Sequence, residues 1–564
     1  MRILCLILML LCSLSMKAQK TYQLEYVAGG YEQYIKHPRT DFKDSMALTK
    51  YLKELQLDAI SNGFLLASID ALTFENRIAV VDFVPGPEFE SALINLKPED
   101  LRFLKNNSSV NERLVANLEF TPRALSSTMK TIQDAFLNNG YPFVALQLVD
   151  VSFENNRLDA TLKIDRGPQY SWSKIHVRGD SSIGLSYVQS LIDIHVGDFY
   201  NEDLLLSISD QVIQVSFIEE IKPHEILFAK NGAELFVYLK STPISSVNGV
   251  IGLQPNPLTT KLSVTGEINL KLLNILRKGE LLDLRWQSIR DQTQSLKSHL
   301  NFPFLFKTAF GIDGNFNLYK RDTSFLELQS TIGVQYFMNH GSFLKAFYQN
   351  MSSTVLSGGL NNPSFNKLGS TKSNNYGLSY VRRRVDYLPN PTKGSIMSFT
   401  GSAGTRKSTL SDTSQTITSL VLRGQFRIEY FIPLAKRHVI RIANYTEFYS
   451  ADEIFENELY RFGGLTSQRG FNEDELFATT LSTSTIEYRY LLDKNSHVFA
   501  FYDQTWYENN TTVYLNDQPF GFGLGFAFST NLGVFSISYA LGKQLGNTIL
   551  LSNSKVHFGY IAYF

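Results

Sequence analysis

The sequence predicts N-terminal α+β repeats followed by a 16-stranded antiparallel transmembrane β-barrel. Two observations carry this prediction. Three landmark peptides recur in the same order between residues 62 and 170, and from about residue 246 onward large apolar residues alternate with small or polar ones in short segments. A third closes off the helical alternative: no stretch after the N-terminal leader reaches the ~18 uninterrupted apolar residues that a membrane helix needs.

In chain order, the leader comes first. Arg2 precedes an apolar run from Ile3 to Leu14, and Met16-Lys17-Ala18 offers a small residue before Gln19. The run is too short to cross a bilayer as a helix, so residues 1–18 are expected to be a secretory signal peptide, with Met16 making an imperfect cleavage site. Cys5 and Cys12, the chain's two cysteines, both lie inside it, and the mature chain is expected to have no disulfide and no thiol chemistry. Basic and acidic residues balance at 53 each, which gives no support to a nucleic-acid partner. Phe (41) and Tyr (28) are abundant, and a secreted chain without membrane helices has a closed barrel as its route across a membrane.

Asn62-Gly63-Phe64 recurs as Asn139-Gly140-Tyr141, Phe74-Glu75-Asn76-Arg77 as Phe153-Glu154-Asn155-Asn156-Arg157, and Gly86-Pro87-Glu88-Phe89 as Gly167-Pro168-Gln169-Tyr170. Before the first landmark, Leu48, Tyr51, Leu52 and Leu55 form a helical stripe that Asn62-Gly63 ends. Strands are expected at Leu66–Phe74 and Ile78–Val84. The second copy has its stripe at Leu125, Met129, Ile132 and Phe136, then strands at Val144–Phe153 and Leu158–Ile164. A weaker third copy runs from Tyr170 through Leu204, Leu205, Ile208 and Val212 to strands near Ile226 and Leu235–Leu239. Each copy is expected to read β-α-α-β-β. The chain is therefore divided into three modules, 19–87, 88–168 and 169–242, and a barrel, 243–564.

This order, with a Gly-Pro-x-aromatic step leading into a strand such as Ser173–Gly179, resembles the POTRA domains of the BamA/TamA outer-membrane assembly family. Such modules expose strand edges that can take an added strand from an extended client.

In the second half, Phe520, Phe522, Leu524, Phe526 and Phe528 alternate with Gly521, Gly523, Gly525 and Ala527. Leu420, Leu422, Phe426, Ile428 and Tyr430 alternate with Arg423, Gln425, Arg427 and Glu429. A charge facing lipid at mid-bilayer costs about 2–4 kcal/mol, so the charged set is expected to look inward. Sixteen strands follow from the pattern: 246–254, 262–271, 279–290, 294–300, 308–319, 324–338, 342–351, 374–386, 394–405, 417–431, 438–450, 478–492, 496–507, 519–529, 532–543 and 555–564. Even connections such as 339–341 and 493–495 are short. Odd ones such as 352–373, 406–416, 508–518 and 544–554 are long and rich in Ser, Thr or Asn. That asymmetry places the short turns and the modules in the periplasm of a Gram-negative cell and the long loops outside.

The connection between the eleventh and twelfth segments carries ELYRFGGLTSQRGFNEDELF, residues 458–477. Gly463, Gly464 and Gly470 permit tight folding, and Arg469 is a fixed cation presented on it. In the BamA/TamA family the same loop folds into the lumen and carries an Arg-Gly-Phe motif, matched here by Arg469, Gly470 and Phe471, with Gln468 in place of the more usual Val or Ile. The resemblance further covers the Leu388–Ser395 turn and a terminal strand ending in Phe, and barrel length leans toward the TamA-like branch. It implies that Arg469 meets Glu487 on the twelfth strand and Asp503 on the thirteenth. Glu473, Asp474 and Glu475 in the loop itself are the rival partners.

His557, Gly559, Ala562 and Phe564 look like the terminal recognition pattern of outer-membrane proteins. Gly559 on the last strand and Gly249 and Gly252 on the first predict a weakly paired seam, either a gate or a plain seal. The chain shows no HExxH, Walker loop or nucleophile elbow, and its nine His residues form no metal-ligand spacing, so neither catalysis nor a cofactor or metal is expected. The resemblance implies a factor that inserts or translocates unfolded outer-membrane or secreted clients, in contact with outer-membrane lipid and accessory proteins of the periplasm or inner membrane. The alternative is a two-partner-secretion-type pore exporting one dedicated partner. Family members of that kind have two such modules and usually an N-terminal plug helix, so three modules favour assembly.

Overall fold

The computed structural model describes residues 21–27, 31–110, 118–119, 121–154, 156–180, 182–242, 245–255, 262–290, 293–338, 341–359, 367–410, 416–511, 514–530, 533–546 and 548–561. The expected leader, Ala562 and Phe564 lie outside these ranges. The chain divides into two compact units, one of residues 1–171 with 198–203, the other of residues 172–197 with 204–564.

The first unit holds two α+β sheets. In the first, Tyr22–Tyr26 pairs in parallel with Ile78–Val84, and Ser68–Glu75 flanks the latter antiparallel. Helix Ser45–Ser61 covers this sheet because Leu48 and Leu52 seal onto Leu24 and Val81. Asp44 caps the helix by accepting from the Ala47 N–H, and Gly63 takes the positive φ that ends it. The second sheet repeats the plan with Ser91–Asn95 parallel to Arg157–Asp165 and Ala145–Glu154 at the edge. Here Ile132 and Phe136 from helix Pro122–Leu137 are fully buried, each such side chain contributing about 1.5–3 kcal/mol.

One expectation needs correction. The first copy does not read β-α-α-β-β: among the described residues a 3-10 turn at Tyr31–Gln33 and a short strand at Asp41–Phe42 stand where its first helix was expected. Tyr31, Tyr34 and Ile35 pack on Phe64 and Phe83, so bulky rings close that end of the core without a helical stripe. The second and third copies have both helices, Pro98–Asn107 with Pro122–Leu137, and Leu185–Ile192 with Glu202–Ile213.

In the second unit, Trp172–Gly179, Ile218–Ala229 and Gly232–Ser241 form a three-stranded sheet. The barrel strands, labelled here β1 to β16, are Ser246–Pro255, Leu262–Leu273, Leu281–Arg290, Thr293–Phe302, Phe310–Arg321, Phe325–Met338, Ser342–Val355, Gly369–Val385, Gly394–Leu410, Thr416–Ala435, His438–Ala451, Thr480–Leu491, His497–Asn509, Phe520–Thr530, Gly533–Lys543 and Lys555–Ile561. All neighbours pair antiparallel in chain order, the meander of a 16-stranded barrel. A short extra strand, Leu515–Asp517, pairs with the end of β13. Outward positions are greasy, as with Leu420, Tyr430, Leu524 and Ile486, while Glu429, Glu487, Ser536 and Ser538 are turned inward and buried.

The strands run longer than the hydrophobic pattern on one side. Ser352–Val355 and Gly369–Ser373 extend the β7–β8 hairpin, and Arg406–Leu410 with Thr416 extend β9–β10. These Ser/Thr-rich stretches looked like loops because they lack a greasy face, yet β-branched Thr suits a ladder that water surrounds. At the opposite end the third sheet's helices meet the even turns. Gln214 donates to the Val385 carbonyl at 3.1 Å, Gly279 lies against the Tyr187 ring, and Gly184 against the Arg277 carbonyl. The β15–β16 ladder joins Val534–Ala540 to Lys555–Ile561, whereas β8 and β9 pair along all of Gly369–Val385. Among the described residues no ladder joins β1 to β16.

Candidate functional site: the lumen loop

The chain between β11 and β12 turns back into the barrel. A small hairpin, Tyr460–Phe462 with Leu476–Ala478, forms its stem, and Phe462, Phe471, Leu476, Leu481 and Tyr507 pack it onto the wall. Gly463, Gly464 and Gly470 all take positive φ, a region closed to most side chains, so the tip reverses within a few residues. Ser467 clasps the reversal by accepting from the Gly463 N–H and donating to the Gly463 carbonyl, both at 2.9 Å.

Arg469 is thereby fixed against the inner wall. Its Nε and Nη2 donate to the two oxygens of Asp503 at 2.7 Å each, and Nη1 donates to Glu487 Oε2 at 2.6 Å. The guanidinium lies 3.5 Å from the Phe501 ring centroid, which adds a cation–π contact in a site shielded from water. Asp503 also accepts from the Arg469 backbone N–H and the Thr485 hydroxyl. A bidentate fork plus a second carboxylate uses the planar geometry that lysine lacks. The loop acids Glu473, Asp474 and Glu475 are exposed, and Glu475 accepts from the Asn472 N–H instead.

Glu487 is more than a partner of the motif. Its second oxygen accepts from Arg489 at 2.8 Å, and Arg441 stands 3.9 Å away while binding Glu429 at 2.8 Å. Arg489 also donates to Asn390, a buried residue of the β8–β9 turn whose amide reaches the Lys494 carbonyl. Gln468 hydrogen-bonds the Thr505 hydroxyl, so the departure from an aliphatic residue at this position is met by a polar partner on β13.

The tip presses on the last three strands. A Cβ on Gly521 would clash with the Arg469 carbonyl oxygen, and one on Gly542 would lie 2.6 Å from that of Gly470. Leu465 fills the notch left by Gly559, and the Gly470 N–H donates to His557 Nε2 at 3.1 Å. Gly521 reads from sequence as plain barrel lining; its small size is required by loop backbone lying on it. Gly249 faces the other way, hard against the Glu267 carbonyl of β2, and Gly252 pairs with Thr265.

The stem carries a second set of polar contacts, absent from the sequence reading. Glu458 accepts from Arg406 Nε and Nη2 at 2.8 and 2.6 Å and from the Tyr449 hydroxyl at 2.9 Å. Arg461 donates to both oxygens of Glu327 at 2.8 and 3.3 Å. The signal that could have found this set is Arg406 itself, an inward charge on β9 that faces Ser373 and Ser419 across its two neighbouring strands.

An open pore keeps its bore free and needs no soluble modules; here a salt-bridged loop occupies the bore of a barrel preceded by α+β modules. Those two features define a modular outer-membrane barrel. The Omp85 superfamily domain matches residues 261–559, more than half of the chain, and the chain belongs to that superfamily. A stretch of 92 residues is 25% identical to the outer membrane protein assembly factor BamA of Buchnera aphidicola subsp. Acyrthosiphon pisum (strain APS), covering 16% of this chain and 15% of that relative's length. Among solved structures, CdiB from Acinetobacter baumannii is similar over 91% of this chain and 97% of its own, with a TM-score of 0.52 and 13% identity. CdiB from Escherichia coli gives 90% and 96%, a TM-score of 0.50 and 14% identity. At these identities the likeness is one of fold.

Proposed function

We propose that this protein inserts or exports client polypeptides at the outer membrane, receiving them on its three POTRA-like modules, 19–87, 88–168 and 169–242. The observation that carries this reading is the lumen loop, with Arg469 held by Asp503 and Glu487, in a superfamily whose curated relative is named an assembly factor. Edge strands give the modules something to dock with. Ser68–Glu75, Ala145–Glu154 and Ile218–Ala229 each lie at the border of their sheet and expose Phe74, Val151 with Phe153, and Ile221 with Leu227. Each also carries a bulge, the usual device against indiscriminate pairing, which confines an added strand to the flat part of the edge.

The third sheet sits at the even-turn end of the barrel, which supports a periplasmic side there and long loops outside. The described part of β16 is short, Lys555–Ile561, and β1 contains Gly249 and Gly252, which supports a seam that opens toward lipid. Gly249, Gly252, His557, Gly559 and Phe564 belong to that seam, and accessory proteins of the periplasm or inner membrane would meet the modules. Depletion followed by quantitative proteomics of the outer membrane tests the reading: a broad fall in barrel proteins is expected. Loss of one secreted protein alone would replace it with dedicated two-partner export. Deleting residues 21–242 is expected to leave a barrel that inserts without activity.

A further inference from the structure

The incoming arm of the lumen loop, residues 455–461, and its tip are fastened to opposite arcs of the wall. The stem reaches β6 through Arg461–Glu327, β7 through Asn457 Nδ2 to Ser353 at 2.7 Å, and β9 through Glu458–Arg406. The tip reaches β13, β15 and β16 through Asp503, Gly542 and His557. In a ring of sixteen strands, β6 and β15 are about half a circumference apart. The loop therefore crosses the bore.

The stem contacts are built as a site of their own. Arg406 and the Glu458 carboxylate are almost wholly shielded, with side-chain exposures of 1% and 5%. Asn457 is equally buried and exchanges two hydrogen bonds with the Gly369 backbone, accepting from its N–H at 3.2 Å and donating to its carbonyl at 2.9 Å. Phe455 packs where a Gly369 side chain would stand, and the Arg406 guanidinium lies 5.1 Å from its ring. A lone anion in this place would be costly, so the pairing sets where the stem rests.

We propose that the loop is a cross-lumen brace with two independent fastenings, and that the Arg406–Glu458 clasp is a separate release point that keeps the bore closed to ions while Arg469 stays docked. Glu458 and Arg406 are positioning residues: they act through the path of the loop. The inference rests on the membrane barrel and is independent of client handling, so its test reads conductance and no client is involved.

The full-length protein in planar lipid bilayers is the system. Arg406→Ala is expected to raise open probability at least tenfold over the parent while heat-modifiable gel mobility stays that of a folded barrel. The exchange Arg406→Glu with Glu458→Arg is expected to return it to the parent level, which a merely structural contribution of either side chain would not do. Should Arg406→Ala fail to fold, the isosteric Glu458→Gln carries the test with the same expected rise. A folded variant that remains as quiet as the parent, or a charge exchange that stays open, overturns the proposal.

Discussion

Arg469→Lys separates charge from shape at the loop tip. The substitution keeps the cation and removes the fork that serves Asp503 through Nε and Nη2 and Glu487 through Nη1. An ammonium can sit close to one of these carboxylates, so two charge-assisted bonds are lost, each contributing about 1.5–3 kcal/mol. With new solvation of the freed acid offsetting part of the loss, the docked loop is destabilised by about 3 kcal/mol, roughly two orders of magnitude in the docked-to-undocked ratio. Arg469→Ala leaves Asp503 with the Thr485 hydroxyl and one backbone N–H, at a cost of about 3–5 kcal/mol, so the two variants should behave nearly alike. Phe471, 5% exposed beside the tip, serves as a reporter once replaced by cysteine in a background with Cys5 and Cys12 changed to serine. Maleimide labelling on intact cells should accelerate about a hundredfold in both variants if labelling follows loop opening. A lysine variant that labels at the parent rate, while the alanine variant labels fast, would show that charge alone holds the loop and that the fork is incidental.

Glu487→Gln should loosen the loop at least as much as Asp503→Asn, because Glu487 neutralises Arg469 and Arg489 together and stands 3.9 Å from Arg441; the same labelling assay ranks them. Gly521→Ala sets a methyl group against the Arg469 carbonyl, a backbone atom that cannot swing aside, so it should undock the tip as strongly as Arg469→Ala while leaving the β13–β14 ladder intact by hydrogen exchange. An epitope inserted at Asn510 should be reached by antibody on intact cells and one at Asn495 should not; the reverse pattern would invert the barrel's orientation.

Much of this architecture is legible in the residues, and the reasons for success and failure are physical. Barrel strands announce themselves because lipid demands a greasy outer face, so Phe520 to Phe528 or Leu420 to Tyr430 fix both existence and facing. That demand lapses beyond the bilayer, which is why Ser352–Val355 and Arg406–Leu410 passed as loops. The Asn-Gly ends of the module helices are local signals and land at Gly63 and Gly140, both with positive φ. The lack of a first helix among the described residues of the first module is a packing outcome, decided by Tyr31 and Tyr34 in a core that no local pattern encodes. Arg469 with its two acids came from resemblance, since spacing alone does not choose Glu487 and Asp503 over Glu473 or Asp474. The stem clasp was invisible for a related reason: Glu327, Ser353, Gly369, Arg406 and Glu458 are far apart in sequence and meet only once β6 to β9 pair side by side and the loop folds back onto them.

The glycine-faced patch on β14 to β16 has a consequence for the order of events. A segment seated between Gly521, Gly542 and Gly559 on one side and β6 to β9 on the other is harder to place in a finished cylinder than on an open sheet. The chain's own sequence avoids that difficulty, because the loop is synthesised before the three strands that carry those glycines. The tip can settle on Glu487 and Asp503 while the cylinder is still an open sheet, and the smooth strands then wrap over it last. Pulse-labelled chains sampled during insertion should therefore acquire protection at Phe471 before β15 and β16 acquire theirs.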